Sequence, residues 1–499
     1  MELQFRNDGL SCLREVVWEV KNEEQTQEVK LPDTMPDIGK VLGAWGQVLL
    51  RGKEWRGSGM SVSGGVMAWV LYLPEGETEP RSVETWIPFQ VRWDFPQTDR
   101  DGAIMAEVLL KSIDARSVSA RKLMVRSVVS VAGCALEPTV AELFIPDSVP
   151  EDVYLRSCTY PMLIPSESGE KTFELDEELP LPAECQNARR LLRFSMNPEI
   201  TDQKLMADKV VFRGVAHIHA LCKCEDGMLK SCHLEIPFSQ YGDLEREYDP
   251  NAVARIVPSV TNLDMELQEN GMLRIKASLV GQYVVYQQKQ IEVVQDAYSP
   301  HRPVKLHTAQ LQLPSVLEQK QENIQTEQLL EVAVGEVVDV FSVAEQPRWD
   351  RRGEGVDVEL PGAFQALFYD AEGNLTGGNV RWTQQHRMDM PGDVKLTATC
   401  HMMGVPKVDV GMGGIHMRQD LCLNTTATVD AGVEMVTGLE LGEATQPAAD
   451  RPSLILRRVG EESLWDMAKH YGSTEDAIRS ANGLTDEPTP GQILIIPVA

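Results

Sequence analysis

"RGVAHIHALCKCEDGMLKSCHLEIPF" (213–238) carries a clear pattern of secondary structure. Its first half is rich in strand-forming residues, an acid- and glycine-bearing turn (EDGM) follows, and the second half ends in Ile-Pro-Phe. β-branched and aromatic residues on both sides of a short polar turn are typical of a β-hairpin. The stretch therefore predicts two antiparallel strands.

The same hairpin occurs earlier in the chain. "GGVMAWVLYLPEGETEPRSVETWIPF" (64–89) aligns with it without a gap at an offset of 149. The coinciding residues include Gly65/Gly214, Ile87/Ile236, Pro88/Pro237 and Phe89/Phe238. A fainter third copy is "ALFYDAEGNL" (366–375), which matches "ALCKCEDGML" (220–229) at an offset of 146. Repeats of this length are whole domains, because solenoid repeats have periods of about 20–50 residues.

We therefore expect a mainly β protein in which tandem β-sandwich or barrel-like domains lie like beads in a row. The predicted copies span 22–140, 172–298 and, in divergent form, 326–441. One helix is predicted at Pro36–Leu42, because Thr34 and Asp37 have capping-box spacing. Residues 299–325 read as a polar seam or a short helix, and residues 442–453 read as a semi-flexible linker to a module that moves independently.

The last stretch, "SLWDMAKHYGSTEDAIRSANGLTDEPTPGQILIIP" (463–497), predicts a small βααβ domain over 454–498. Apolar residues spaced as on one face of a helix mark the first helix, and Ser473 with Asp476 marks the start of the second. The apolar face of the first helix consists of Leu464, Met467, Ala468 and Tyr471. Ser463 and Asp466 have the spacing of its capping box, and Gly472 is expected to end it. Ile478 and Ala481 are expected to face inward, and Asn482-Gly483 to end the second helix. Strands Leu454–Val459 and Ile493–Ile496 flank the pair.

Charge and composition exclude several classes of function. The net charge of −28 and the lack of a basic run argue against nucleic-acid binding, which draws on clustered Lys and Arg. Nine scattered cysteines favour reduced thiols over a disulfide framework. Residues 1–15 mix charged with apolar positions, and no apolar run approaches the ~18 residues of a membrane span, so we expect neither export nor a membrane span.

No stretch predicts a catalytic, metal or cofactor site. "GQVLLRGKE" (46–54) lacks the spacing and the Ser/Thr of a phosphate-binding loop, and "GMGGIH" (411–416) lacks a third glycine. "HIHALCKCEDGMLKSCH" (217–233) carries zinc-type ligands, but alternation along a strand turns His217 and His219 away from Cys222 and Cys224. Packing is the favoured interpretation and zinc the alternative. A non-enzymatic protein without cofactors is expected.

The C-terminal stretch resembles a LysM domain in its Leu-Trp-x-x-Ala, Tyr-Gly, Asn-Gly-Leu and Pro-Gly-Gln-x-Leu-x-Ile-Pro elements. That resemblance implies a groove for N-acetylglucosamine polymers between two loops. Carried over, the groove is lined by Glu461, Glu462, Ser463, Leu464, Asn482, Gly483, Leu484, Thr485 and Asp486. Where the family usually has Gly-Asp, this chain has Glu461-Glu462, which makes one lip bulkier and doubly acidic.

The repeats resemble the spore-coat-associated (SPOCS) domain in the Val-x-Gly-x-Val strand, the Ile-Pro-Phe return and the ending "VVQDAYS" (293–299). SPOCS domains joined to a terminal LysM resemble the SipL family of spore coat assembly proteins. This implies work in the mother-cell cytoplasm at the forespore surface, with the LysM domain contacting a coat ATPase of the SpoIVA type. The alternative is a LysM domain that binds peptidoglycan, which the missing export signal disfavours.

Overall fold

The structure is a computed structural model. It describes residues 2–498 except Gln4, Asp99, Glu354, Pro391, Asp393, Met412 and 445–451. It is 76% strand and 4% helix. The mainly β fold with a small βααβ end is therefore confirmed. Helices are confined to the end because strand-forming residues dominate the repeated part of the chain.

The strands before the C-terminal module form three successive units. The first holds β1 (Glu2–Leu3), β2 (Phe5–Lys30), β3 (Ile38–Arg56), β4 (Gly59–Pro74), β5 (Arg81–Asp94), β6 (Ala103–Ser119) and β7 (Lys122–Pro146). The second holds β8 (Tyr154–Pro180), β9 (Ala188–Met206), β10 (Lys209–Cys224), β11 (Leu229–Asp243), β12 (Val253–Leu267) and β13 (Met272–Tyr298), with a 3₁₀ turn at Ala183–Cys185. The third holds β14 (Val304–Leu330), β15 (Val334–Ala344), β16 (Arg348–Arg352), β17 (Gly355–Asp370), β18 (Leu375–Asp389), β19 (Lys395–Gly411) and β20 (Gly414–Leu441). The C-terminal module holds β21 (Leu454–Arg458), α1 (Leu464–Tyr471), α2 (Glu475–Asn482) and β22 (Ile493–Pro497).

Each unit is built from two antiparallel sheets with the same strand plan. The first sheets have the orders β3-β4-β5, β9-β10-β11 and β15-β17-β18, with β16 also paired to β17. The second sheets have the orders β2-β7-β6, β8-β13-β12 and β14-β20-β19, and β1 adds to β20. Side chains alternate between the two faces of a sheet along each strand. The apolar face of each hairpin therefore packs inward, between the two sheets of its unit.

The hairpin register corrects the gapless alignment of the first two copies. Gly64, not Gly65, lies opposite Phe89, just as Gly214 lies opposite Phe238. A Cβ on Gly64 would lie 2.7 Å from Phe89 Cζ, and one on Gly214 would lie 2.4 Å from Phe238 Cζ. The third unit has the same arrangement of Gly362 opposite Trp382. A glycine beneath an aromatic ring is therefore shared by all three hairpins.

The structure revises three expectations about segments. The first strands begin at Phe5, Tyr154 and Val304, well before the predicted copy boundaries. Residues 299–303 do connect the second unit to the third, as the predicted seam requires. Residues 304–325 are neither linker nor helix, because β14 pairs with β20 along its whole length and its Gln- and Glu-rich face is a solvated strand face. Residues 36–42 are not helical, since β3 starts at Ile38, whose amide donates to the Ala120 carbonyl at 2.8 Å.

The units are not beads in a row, because each one packs against the other two. β3 of the first unit contacts β12 of the second, β9 of the second contacts β19 of the third, and β15 of the third contacts β6 of the first. This cyclic pattern gives the units an approximate threefold relationship. Leu71, Leu221 and Leu367, one from each unit, meet in a shared buried cluster.

A buried charged network joins the second and third units. The Arg193 guanidinium, 1% exposed, contacts the carboxylate of Asp339. His219 Nε2 lies 2.7 Å from Asp339 Oδ1, and the Ser231 hydroxyl donates to the same oxygen at 2.9 Å. Burial lowers the pKa of Arg193 to about 9 and holds the pKa of His219 well below its ordinary value. The network therefore holds the interface with His219 neutral.

Candidate functional site

The C-terminal module is organised by its first helix, α1, which begins as the sequence predicts. Ser463 Oγ accepts from the Asp466 amide at 3.2 Å, and Asp466 Oδ2 accepts from the Ser463 amide at 3.2 Å. This reciprocal pair satisfies two amides that a helix start leaves without intrahelical partners. Gly472 ends the helix in the left-handed conformation at φ 62°. Capping box and helix end are both confirmed.

The second helix, α2, starts one residue later than predicted. Thr474 Oγ1, rather than the Ser473 hydroxyl, accepts from the Ala477 amide at 3.0 Å. Ser473 is instead buried in the turn. Ile478 faces the core as predicted, whereas Ala481 is exposed, because the α2 face turned toward β22 does not include position 481.

The first edge of the predicted groove lies at the start of α1. Glu461 is exposed, and the Glu462 carboxylate lies 3.2 Å from Arg457 Nη2. Ser463 is engaged as the helix cap, and Leu464 is 0% exposed in the core of the module. The expected double negative charge is thus reduced on this lip, because Arg457 partly neutralises Glu462.

The second edge follows α2. The Asn482 side chain joins α2 to β22. Its Oδ1 accepts from the Ile495 amide at 2.7 Å, and its Nδ2 donates to the Ile478 carbonyl at 2.8 Å. Gly483 ends α2 at φ 61°. Leu484 packs half-buried against the core, and Thr485 and Asp486 are exposed. Of the nine groove residues, Glu461, Leu484, Thr485 and Asp486 remain free for a ligand by position, and the groove stays a prediction.

The module docks on the last strand of the second unit, which the sequence did not predict. Trp465 Nε1 donates to Asp296 Oδ2 at 2.8 Å, and Lys469 Nζ donates to Asp296 Oδ1 at 2.6 Å. The Tyr298 ring meets the Trp465 ring edge-on, with centroids 4.7 Å apart. Burial raises the pKa of Asp296, but Lys469 and the Trp465 indole outweigh burial and hold that pKa below its ordinary value.

A second set of contacts strengthens the same junction. Tyr154 stacks on Tyr298 with ring centroids 5.4 Å apart. The Arg156 guanidinium lies 5.6 Å from the Trp465 ring and 3.9 Å from the Asp466 carboxylate. The module is thus docked in this arrangement, and its independent movement stays a prediction. Residues 445–451 of the predicted linker lie outside the described part of the chain.

The sheet of the module presents an apolar outer face. Four of the fifteen large apolar side chains that are exposed in the described chain belong to this sheet of two five-residue strands. They are Leu454 (59% exposed), Leu456 (72%), Ile493 (67%) and Ile495 (38%). Leu456 and Ile495 are direct cross-strand partners. We call these four residues the outer sheet face; such concentrated apolar exposure marks an interaction surface.

The cysteine- and histidine-rich hairpin splits its side chains between two environments. His219 faces the third unit and Asp339, whereas Cys222 is buried in the core of the second unit with Cys185 and Cys232. Within the described residues, no group of three or more His, Cys, Asp or Glu side chains could hold a metal ion. Lys53 of "GQVLLRGKE" donates to the Ile104 carbonyl at 2.8 Å and pairs with the Glu170 carboxylate at 2.7 Å, so its ammonium is engaged within the protein. Gly411 and Gly414 end a hairpin, and Met412 lies outside the described residues.

Two protein-family models match segments of the chain. The model described as SipL, SPOCS domain, matches residues 187–268, and the LysM domain model matches residues 460–497. The chain carries a SipL SPOCS domain and a C-terminal LysM domain. No curated protein and no solved structure matches it. The SPOCS match covers β9 to β12 of the second unit, and the LysM match covers α1, α2 and β22.

These two domains support a sporulation-related protein with a domain of the peptidoglycan-binding type. Both families are non-catalytic, which is consistent with a protein that is not an enzyme. Among the described helices, none has the length and apolar character needed to cross a membrane. The LysM domain and its junction with the SPOCS-bearing unit are therefore the candidate functional site.

Proposed function

We propose that this protein is a non-enzymatic spore coat assembly protein that helps to localise the coat around the forespore. It acts in the mother-cell cytoplasm, and its LysM domain binds a coat ATPase of the SpoIVA type. The pairing of a SipL SPOCS domain with a terminal LysM domain supports this proposal. The first and third units extend it as further, divergent SPOCS copies, since they share the two-sheet plan of the second.

The observation that carries the protein-binding role is the outer sheet face. A sugar polymer is held mainly by hydrogen bonds, whereas Leu456 and Ile493, at 72% and 67% exposure, offer almost none. Arg458, at the edge of this face, donates to the Gly491 carbonyl, and the structure shows no carboxylate paired with it among the described residues. A partner segment with an apolar centre and an acidic flank would cover both features.

The predicted groove adds a second contact for the same partner. Glu461 would give its rim a negative charge suited to Lys or Arg, and half-buried Leu484 would serve as an apolar anchor. Leu464 does not contribute directly, because it is fully buried. Groove and outer sheet face lie at different parts of the small domain, so a partner using both would wrap around it.

The second candidate function is binding of peptidoglycan through the same groove. The LysM family match supports it. Exposed Thr485 and Asp486 could supply hydrogen bonds to sugar hydroxyls or acetamido groups. This function places the ligand in the groove alone and gives the outer sheet face no role.

A paired binding experiment separates the two functions. Purified full-length protein is tested for binding to the purified coat ATPase and, in parallel, for sedimentation with peptidoglycan. Leu456→Asp should weaken ATPase binding at least tenfold, because it places a charge in an apolar contact. Val140→Asp, at a site 56% exposed on β7, is the matched control and should change nothing. Peptidoglycan binding without ATPase binding would favour the second function.

A further inference from the structure

The three units enclose a cavity of about 380 Å³ where their second sheets meet. One cross-strand pair from each unit lines it: Met105 with Cys134, Arg255 with Val284, and Thr397 with Thr426. These pairs occupy corresponding places in the β6-β7, β12-β13 and β19-β20 ladders, so the cavity lies near the approximate threefold axis. At about 30 Å³ for each water-sized group, it has room for a ligand of about a dozen non-hydrogen atoms.

Most of the charged side chains around this cavity are neutralised or turned away from it. Two cations of its lining pair with carboxylates: Lys395 with Glu15, and Arg14 with Glu137. Both carboxylate oxygens of Glu107 are closed off from solvent, and His401 Nδ1 lies 3.1 Å from one of them. Asp430, which is exposed, also lines the cavity and marks where it opens to the surface.

Arg255 is the exception, a half-buried cation of the lining without a counter-charge. Its Nη2 donates to Thr399 Oγ1 at 3.2 Å, and no ion pair is present for it within the described residues. Thr399 lies opposite Asn424, and Asp430 is six residues further along β20, a distance of about 20 Å. The guanidinium therefore keeps unused donors in a fork that matches the geometry of a carboxylate.

A tyrosine hydroxyl lies on the same wall as this guanidinium. Arg255 and Val284 are direct cross-strand partners, and Tyr286 follows Val284 by two residues, so all three side chains share one face of the sheet. Tyr286 lines the cavity, is 9% exposed and makes no hydrogen bond through its hydroxyl within the described residues. Burial raises the pKa of Tyr286 to about 12, although the nearby Arg255 charge opposes the rise. The hydroxyl is therefore a protonated donor that lacks an acceptor.

The wall beside these two donors is apolar. Side chains from all three units form one buried cluster there: Leu136 from the first, Val284 and Tyr286 from the second, and Val316 from the third. All four line the cavity, and Val257 of β12 extends the same wall. A ligand that fills this space therefore needs an apolar body next to its charged group.

We propose that this cavity binds a small amphipathic monocarboxylate, an aromatic or branched aliphatic acid of about a dozen non-hydrogen atoms. Its carboxylate accepts from the Arg255 guanidinium and the Tyr286 hydroxyl, and its apolar body lies against the three-unit cluster. A phosphate ester fits less well, because Lys395 and Arg14 are already paired and cannot balance a second negative charge. This site belongs to the three β units and does not depend on the partner of the LysM domain.

Calorimetric titration of the full-length protein with 4-phenylbutanoate tests the site. We expect a Kd of about 1 mM or tighter. The amide 4-phenylbutanamide has the same size but no charge, so it should bind at least about tenfold more weakly. Acetate has the charge but no apolar body and should also bind at least about tenfold more weakly. Absence of 4-phenylbutanoate binding at about 10 mM, or equal affinity for the acid and either of the other two compounds, overturns the proposal.

Two variants assign the contacts of the carboxylate. In Arg255→Met the advantage of the acid over its amide should disappear, and in Tyr286→Phe the affinity for the acid should fall at least about fivefold. Arg92→Met, at an exposed arginine outside the cavity, should retain the affinity and the preference. Full affinity for the acid in either cavity variant overturns the proposal. If a variant fails to fold, the comparison of acid, amide and acetate on the unmodified protein decides.

Discussion

Trp465 Nε1 donates to Asp296 Oδ2 across 169 positions of sequence, and this bond fixes the LysM domain on the second unit. Because Asp296 also accepts from Lys469, one carboxylate holds two side chains of α1. The helix that begins at one edge of the predicted groove is therefore oriented by a residue of the second unit, although the third unit lies between them in the chain.

Removal of this carboxylate should release the LysM domain. Asp296→Ala leaves the Trp465 indole and the Lys469 ammonium without their acceptor, at a cost of about 1–3 kcal/mol to docking. Small-angle X-ray scattering should show a larger radius of gyration, whereas Asp264→Ala, at an exposed position on β12, should leave it unchanged. An unchanged scattering profile for Asp296→Ala would show that the aromatic contacts alone hold the domain.

The glycine beneath each hairpin aromatic should not tolerate a methyl group. In Gly214→Ala the new Cβ would meet the Glu199 carbonyl oxygen at 2.2 Å and Phe238 Cζ at 2.4 Å. Since the carbonyl is backbone and cannot turn away, we expect a loss of about 1–3 kcal/mol in the free energy of unfolding. Urea denaturation measures it. Gly460→Ala, where no atom lies within 4 Å, is the control, and equal stability of the two variants would contradict the packing argument.

The stability that the buried network between the second and third units contributes should be lost when only one of its two charges, Arg193 or Asp339, is removed. Asp339→Asn leaves the Arg193 guanidinium buried without its counter-charge, which costs about 3–5 kcal/mol. The double variant Arg193→Met with Asp339→Leu removes both charges and should recover most of that stability. Urea denaturation of all three proteins gives the comparison. A loss below about 1 kcal/mol for Asp339→Asn would mean that the network does not stabilise the interface.

Acidification should weaken the fold through His219. Its pKa is held well below the ordinary value by burial first and by the Arg193 charge second. The unfolded chain therefore takes up a proton near pH 6.5 that the folded chain does not, and stability falls as pH drops below that value. His219→Gln should show a shallower loss of unfolding free energy between pH 6.5 and 5 than the unmodified protein. Parallel pH profiles would exclude His219 as the group responsible.

Local signals in the sequence predicted much of the local structure. The alternating hairpins, the Ser463–Asp466 capping box and the Gly472 and Gly483 helix ends all depend on residues close in the chain, and all are present. The one-residue error at Gly64 has a simple cause: the segment between Gly64 and Phe89 is one residue longer than that between Gly214 and Phe238. A gapless comparison cannot register that difference.

The arrangement of the units and much of the candidate site depend on distant contacts that no local pattern reports. Asp296 lies in the SPOCS-like ending "VVQDAYS" (293–299), yet its hydrogen bond to Trp465 depends on how two domains pack. Asn482 resembles an ordinary helix-end residue, and its tie to Ile495 becomes visible only when β22 lies beside α2. Strand periodicity likewise could not show that β14 continues through a polar segment, because its solvated face has the composition of a linker.

Three copies joined in one chain can carry different side chains at equivalent positions around their approximate threefold axis, which a homotrimer of one unit cannot. In a homotrimer, any side chain facing the symmetry axis would appear three times, so three arginines or three threonines would surround the same space. Here corresponding ladder positions carry Met105, Arg255 and Thr397, one of each chemistry. Because the three copies have diverged within one chain, they place three different side chains around the axis. Identical subunits related by symmetry would place the same side chain there three times.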